Sequence, residues 1–234
     1  MTGSVRPEVV AAEECRGLLH ETWAFVGTAG DRILAEAWLS AGPGPVVIAG
    51  HGADGDRNAQ YIRGAAKAWA QGGITVVAAD APLHGARAEA RPPPGIGDPA
   101  WPVFVEWAAR DLVSLADVVA GALRPEGSLG YLGFSMGTHY GVPAIAADAR
   151  FGAAAFVVGG APVDAVGRAA DVAPRPVLML NADADEVFPR DAALALYDAF
   201  RPPKEITFFP GTHAVWRSPA QWYRRLERFF RDTL

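Results

Sequence analysis

The sequence alternates short, wholly apolar segments with longer segments of helical spacing, and this alternation limits the possible folds most. The runs VVIAG at 46–50 and ITVVAAD at 74–80 are short and rich in β-branched residues, which is typical of buried parallel strands. Between them, residues 58–73 space their apolar side chains along one helical face and end in two glycines. Strands that alternate with helices predict a three-layer α/β fold, with a mostly parallel sheet and helices on both faces.

The beginning of the chain departs from this alternation. Residues 18–27 and 32–40 are two strand-like runs joined by the turn signal TAGD, so we expect an antiparallel pair at one edge of the sheet. With this pair the sequence predicts eight strands. We find no internal repeat and no linker, and we expect one domain that spans residues 1–234.

The segment between Ala81 and Trp101 contains five prolines and no sustained periodicity, which predicts a long irregular loop. Loops of this length in compact domains are often functional. Few residues separate the apolar run at 151–160 from the one at 176–182, so we expect no large cap domain over the sheet.

Composition excludes several classes of function. The 234 residues carry a formal charge of −5 and disperse their basic side chains, which argues against a nucleic-acid partner. The single cysteine, Cys15, excludes an intramolecular disulfide and a thiolate metal cluster. We see no signal-peptide pattern and no apolar run of bilayer length, and therefore expect a cytoplasmic protein with no membrane partner. The oligomeric state stays open.

Polar residues with catalytic potential follow the predicted strands directly. In open α/β sheets, ligands bind outside the carboxyl ends of the strands, where such side chains would meet. The residues at these positions are His51, Asp80, Ser135, Asp183, Asp185 and His213.

Ser135 lies in the pentapeptide GFSMG, between a predicted strand and a predicted helix. The pattern G-x-S-x-G alone is weak, because the chain is rich in glycine. A sharp strand-to-helix turn, however, holds the serine in a strained conformation and exposes its hydroxyl as a nucleophile. The alternative is a serine that only caps the helix.

A serine hydroxyl needs a base to accept its proton. Of the five histidines, His213 is the best candidate, because it lies in a loop after the last predicted strand. A surface histidine without function is the alternative. His139 follows Ser135 by four residues, inside the predicted helix, and we interpret it as structural.

The base in turn needs an acid that fixes its tautomer. Asp185 is our first choice and Asp183, two residues earlier, is the second; Asp164 is a distant third. The alternative for a pair of loop aspartates is solvation or capping of the following helix.

The order Ser135, Asp185, His213 resembles that of the α/β-hydrolases. The resemblance covers almost the whole chain and extends to the branch of dienelactone hydrolases and prolyl-oligopeptidase-like esterases. Dienelactone hydrolases use a cysteine nucleophile, whereas this chain has a serine. The segments that carry the resemblance are GFSMG, HGADGD, DAPLHGAR, ADEVFP and GTH.

The resemblance implies an oxyanion hole made by the backbone N–H groups of Ala53 and Met136, with Gly52 as a neighbour. It also implies a serine hydrolase that cleaves carboxylic esters of small molecules through an acyl-enzyme, with no metal and no organic cofactor. Thioesters, lactones and small amides are alternative substrates. A non-catalytic ligand-binding protein on the same fold is an alternative of another class, and a Rossmann-type nucleotide binder is disfavoured because G-x-G-x-x-G is absent.

Aromatic side chains and arginines near the predicted site are candidates for substrate contacts. The apolar pocket is predicted from Trp101, Phe104, Trp107 and Trp216, with core packing as the alternative. Arg57 and Arg87 could hold a substrate carboxylate, although pairing with nearby acids such as Asp54 and Asp56 is the commoner role for such arginines.

Overall fold

A nine-stranded sheet forms the centre of the computed structural model, which describes residues 6–15, 17–90, 92–161, 164–214 and 219–234. The strands are Glu8–Cys15 (β1), Leu18–Val26 (β2), Arg32–Leu39 (β3), Val46–Gly50 (β4), Thr75–Ala79 (β5), Leu129–Phe134 (β6), Phe151–Val157 (β7), Val177–Ala182 (β8) and Lys204–Phe209 (β9). Their spatial order is β1-β2-β3-β5-β4-β6-β7-β8-β9. The first three strands are antiparallel to their neighbours, and β4 to β9 run parallel to one another.

The mostly parallel sheet with an antiparallel edge is confirmed, but it has one strand more than the eight predicted. The additional strand is β1, which pairs antiparallel with β2, as in the contact between Glu13 and His20. Every residue of β1 is exposed. Because neither of its faces is buried, its sequence carries no apolar periodicity that could have predicted it.

Helices cover both faces of the sheet, as predicted. The pleat of β4 shows this division, because Ile48 faces one apolar core and Val47 faces the other. The helices are Gln60–Gln71 (α1), Trp101–Leu123 (α2), Met136–Ala147 (α3), Asp164–Ala169 (α4), Arg190–Ala199 (α5) and Pro219–Thr233 (α6). Helices α2, α3 and α5 contribute to the first core, whereas α1 and α6 contribute to the second.

The connections above the carboxyl ends of the strands are mostly irregular. Within the described part of residues 81–100, the only regular element is a 3-10 turn at Gly85–Arg87. Between β7 and β8 the described chain forms only the short helix α4 and a 3-10 turn at Ala170–Val172. The described helices include none that is long and apolar enough to cross a membrane. Among the described residues, no large insertion therefore covers the carboxyl edge of the sheet.

Candidate active site

Ser135 lies in a strained turn between β6 and α3. Its backbone has φ 48° and ψ −110°, a conformation that a residue with a side chain rarely adopts. The turn is held because the N–H of Ser135 donates to the carbonyl of Val157, with N and O 3.0 Å apart. The serine is therefore presented at the carboxyl edge of the sheet, as the sequence predicted.

The glycines on both sides of Ser135 permit a close approach of backbone segments. A Cβ on Gly137 would stand 2.4 Å from the carbonyl oxygen of Gly50, at the end of β4. A Cβ on Gly133 would stand 2.8 Å from the carbonyl oxygen of Gly137. These distances are shorter than van der Waals contact, so the turn requires glycine at both positions.

His213 lies after β9 and contacts Ser135 through its side chain. Its Nε2 is 2.9 Å from the Ser135 Oγ. The backbone N–H of His213 donates to Glu186 Oε2 across 3.0 Å, and this hydrogen bond is the main cause that lowers the pKa of Glu186. In the sequence, Glu186 is marked only by its position beside Asp185.

Asp185, after β8, lies against the other nitrogen of the His213 ring. Both of its carboxylate oxygens are 3.0 Å from His213 Nδ1, and the carboxylate is buried. Its Oδ1 also accepts the N–H groups of Val187 and Phe188, which fixes its orientation. The second choice, Asp183, instead accepts the N–H of Gly211. The side chain of the third choice, Asp164, lies outside the described residues.

The loop after β4 brings backbone N–H groups close to Ser135. A Cβ on Gly52 would stand 3.4 Å from the Cβ of Ser135. The N–H of Gly52 donates to the hydroxyl of Tyr61 across 2.8 Å, so this donor is already engaged. The N–H of Ala53 belongs to the next peptide, and Met136 begins α3, where an N–H has no acceptor inside the helix.

A cleft of about 620 Å³ opens in front of Ser135 and His213. Its wall is partly apolar and partly backbone, and among the described residues it contains two carboxylates but no lysine or arginine. This surface suits a small uncharged or cationic molecule better than an anionic one. The cleft is lined by Gly52, Ala53, Asp54, Gly55, Asp56, Ala59, Gln60, Tyr61, Gly85, Phe134, Ser135, Val158, Val187 and His213.

Comparisons with known proteins agree on the architecture. No protein-family model and no curated protein matches the sequence. A cold-adapted esterase from an Arctic intertidal metagenomic library, solved with bound PEG, superposes with a TM-score of 0.77 at 22% identity, over 94% of this chain and 97% of the other. The α/β-hydrolase GrgF from Penicillium sp. sh18 superposes with a TM-score of 0.78 at 16% identity, over 92% and 98%. An acetyl xylan esterase from Paenibacillus sp. R4 superposes with a TM-score of 0.78 at 17% identity, over 98% and 88%.

The chain has the α/β-hydrolase fold. This fold binds its ligands at the carboxyl edge of the sheet. The turn that carries Ser135 lies at this edge, as do the loops after β4, β8 and β9. The resemblance to the dienelactone hydrolase branch stays a prediction, since these neighbours show the fold and not the branch.

The predicted aromatic pocket is not at the cleft of this α/β-hydrolase fold. Trp101 and Phe104 are buried, stack on each other with centroids 5.5 Å apart, and belong to the core under α2. The guanidinium carbon of Arg87 lies 5.2 Å from the centroid of the Trp107 ring, and Trp107 lines a separate surface groove. Helical spacing turns Trp101 and Phe104 toward the apolar core and not toward the cleft. Trp216 lies outside the described residues.

The two arginines considered as ligands for a substrate carboxylate are engaged in ion pairs within the protein. Arg57 binds Glu36 and Asp80, with distances of 2.9 and 2.6 Å. Arg87 binds Asp31 and Asp111, with distances of 2.8 and 2.7 Å. Pairing with acids was the alternative in the sequence analysis, but its expected partners, the aspartates at 54 and 56, line the cleft instead.

Replacing Arg57 by methionine is expected to destabilise the protein by about 3–5 kcal/mol, because it leaves two buried carboxylates without their cation. Glu36 is 3% exposed and Asp80 is 2% exposed. Urea unfolding measures the loss. The control is Arg110→Met, which breaks an exposed pair with Glu106 and should cost no more than about 1 kcal/mol. Equal losses in the two variants would contradict a structural role for the buried pairs.

His139 is buried in the core behind the cleft. Its ring packs between Trp101 and Phe188, with centroids 5.5 Å from each. Neither ring nitrogen has a hydrogen-bond partner among the described residues. Burial lowers the pKa of His139 from 6.5 to about 4, so the ring is neutral at pH 7. Its structural role stays an interpretation, and the packing supports it.

His139→Leu is expected to make the protein less sensitive to acid. Between pH 6.5 and about 4 the unfolded chain protonates this histidine and the native protein does not, so the free energy of unfolding falls as pH falls. One histidine contributes up to about 1.4 kcal/mol per pH unit. Unfolding free energies measured from pH 7 to pH 4 should therefore show a smaller slope in the variant. An unchanged slope would show that His139 titrates alike in both states.

Proposed function

We propose that the protein is a serine hydrolase that cleaves carboxylic esters of small molecules. The observation that carries this proposal is the continuous chain from Ser135 Oγ to His213 Nε2, 2.9 Å, and from His213 Nδ1 to Asp185, 3.0 Å. Nucleophile, base and orienting acid stand in contact at the carboxyl edge of the sheet. In addition, two of the structural neighbours named above are esterases.

In the proposed mechanism, Ser135 attacks the ester carbonyl while His213 takes the hydroxyl proton. Asp185 holds the Nδ1–H tautomer of His213 and stabilises the imidazolium. The imidazolium then protonates the departing alcohol, and an acyl-enzyme remains on Ser135. Water, activated by the same histidine, hydrolyses the acyl-enzyme and regenerates the serine.

The oxyanion of each tetrahedral intermediate would lie against the N–H groups of Ala53 and Met136. Ala53 lines the cleft, and Met136 follows the nucleophile at the start of α3. One donor of this kind contributes about 3 kcal/mol to transition-state stabilisation. No step in this mechanism calls for a metal or an organic cofactor.

The test combines intact mass spectrometry with turnover. The native protein is incubated with a fluorophosphonate and, separately, with p-nitrophenyl esters of two to eight acyl carbons, alongside a matched thioester and anilide. One adduct together with release of p-nitrophenol supports the esterase. Faster turnover of the thioester or the anilide would indicate that this compound class, and not the ester, is the substrate. The absence of both adduct and turnover would favour the non-catalytic ligand-binding alternative.

A further inference from the structure

Two histidines outside the triad contact the loop that carries Ala53. His51 Nδ1 is 2.8 Å from the carbonyl oxygen of Gly52, and the N–H of Ala81 donates to His51 Nε2 across 3.0 Å. Because Nε2 accepts this hydrogen bond through its lone pair, it carries no proton, and the proton of the neutral ring lies on Nδ1. Burial lowers the pKa of His51 to about 4, so the ring stays neutral at pH 7 and donates to Gly52.

The hydrogen bond from His51 contributes to the direction of the N–H of Ala53, together with the N–H of Gly55, which donates to the same Gly52 carbonyl across 3.0 Å. The carbonyl of Gly52 and the N–H of Ala53 belong to one planar trans peptide and point in opposite directions. A donor that holds the carbonyl therefore holds the N–H as well. On the other side of Gly52, its own N–H is held by the hydroxyl of Tyr61.

His84 holds the peptide that follows. Its Nε2 is 3.0 Å from the carbonyl oxygen of Ala53, and its Nδ1 is 2.8 Å from the carbonyl oxygen of Pro82. Both acceptors are carbonyl oxygens, so the ring must contribute the protons: a neutral imidazole donates to one of them and an imidazolium to both. The ring is buried and packs 5.1 Å from His51 and 5.9 Å from Phe104.

Apart from the turn hydrogen bond from the N–H of Gly55 to the Gly52 carbonyl, the described loop has little other means of holding these peptides. Gly52 has no side chain, and Ala53 is exposed at the cleft, so apolar packing does not fix the backbone here. The planes before and after the Ala53 Cα are each held by one histidine, which together define the direction of its N–H. Such preorganisation is what makes a backbone donor effective in a transition state.

We propose that His84 is a positioning residue of the oxyanion hole, which through its Nε2–H and the Ala53 carbonyl keeps the Ala53 N–H directed at the Ser135 side of the cleft. His51 supports the preceding peptide in the same way. This inference rests on the proposed function, because the oxyanion hole that His84 positions belongs to the same active site.

The test compares two amide substitutions that each keep one donor of the ring. The side-chain nitrogen of glutamine falls near the position of His Nε2, and that of asparagine near Nδ1. His84→Gln keeps a donor for Ala53 and is expected to retain kcat within about threefold. His84→Asn keeps only the donor for Pro82 and is expected to lose kcat by about tenfold or more, with KM changed less than threefold.

A trifluoromethyl ketone, which forms a tetrahedral adduct with a reactive serine, provides a second readout. Its inhibition constant should rise in His84→Asn by the same factor as kcat falls, because both depend on the oxyanion donor. An equal fall in kcat in the two variants, or a change in KM with kcat unchanged, would overturn the positioning role. Urea unfolding of both variants excludes a difference in folding as the cause.

The native protein gives a control that needs no variant to fold. Nitrogen-15 NMR of the His84 ring should show a protonated Nε2, and a Nε2 that bears a free lone pair would overturn the proposal. Fluorophosphonate labelling of the native protein separates the two failures. If the native protein shows neither labelling nor turnover, the esterase proposal fails. If it shows both and His84→Asn has unchanged kcat, only the positioning role of His84 is disproved.

Discussion

Ser135→Ala is expected to remove the fluorophosphonate adduct and to lower kcat for p-nitrophenyl esters by up to about 10⁶-fold. The reason is that His213 Nε2, 2.9 Å from the serine oxygen, would lose the only hydroxyl to which it is hydrogen-bonded in the described structure. Intact mass spectrometry and initial rates measure the two effects. The KM of any residual hydrolysis should change little, because the cleft keeps its other walls.

The control for this substitution lies at the opposite end of the same strand. Ser128 is exposed and directly precedes β6, whereas Ser135 directly follows it. Ser128→Ala makes the same chemical change and should leave labelling and turnover unchanged. An adduct that persists in Ser135→Ala would place the nucleophile elsewhere and would disprove the proposed role of the strained turn.

Asp185→Asn is expected to lower kcat by about 10⁴-fold while the protein stays folded. A carboxylate accepts the Nδ1–H of His213 with either oxygen, whereas an asparagine amide can donate to Nδ1 and stabilise the wrong tautomer. Steady-state kinetics measure the loss of kcat, and urea unfolding checks that the variant stays folded.

Asp183→Asn is the matched control, two residues earlier in the same loop. Asp183 accepts the N–H of Gly211, an interaction that the oxygen of an asparagine can keep. We therefore expect a change in kcat of less than about threefold. If Asp183→Asn proves as damaging as Asp185→Asn, the loop and not the individual carboxylate supports His213, and the assignment of the acid is wrong.

The sequence selects Asp183 and Asp185 as candidates for the acid but does not decide between them. Both follow β8, and the rule that functional residues follow parallel strands selects both. Only the fold of the loop decides that Asp185 turns toward His213 while its neighbour turns toward Gly211. The backbone donors of Val187 and Phe188, which fix that orientation, leave no trace in the sequence pattern.

The aromatic residues of α2 illustrate a second limit. Core packing was the alternative to a substrate pocket for these residues, and Trp101 and Phe104 are indeed buried. Spacing cannot tell which surface a buried face packs against, and here it is the sheet and the histidines beneath the loop rather than the cleft. For the same reason the roles of His51 and His84 became visible only once the carbonyls that they contact were placed.

The sequence by itself determined the layered α/β architecture and the order of the triad candidates along the chain. It could do so because burial periodicity and turn chemistry are local: apolar runs, glycines and the residues beside them act within a few positions. The tertiary structure decided the exposed strand β1, the true partners of the arginines, the position of the cleft and the histidine contacts to Ala53. These depend on distances between segments far apart in the chain, which only the packing of helices on the sheet brings together.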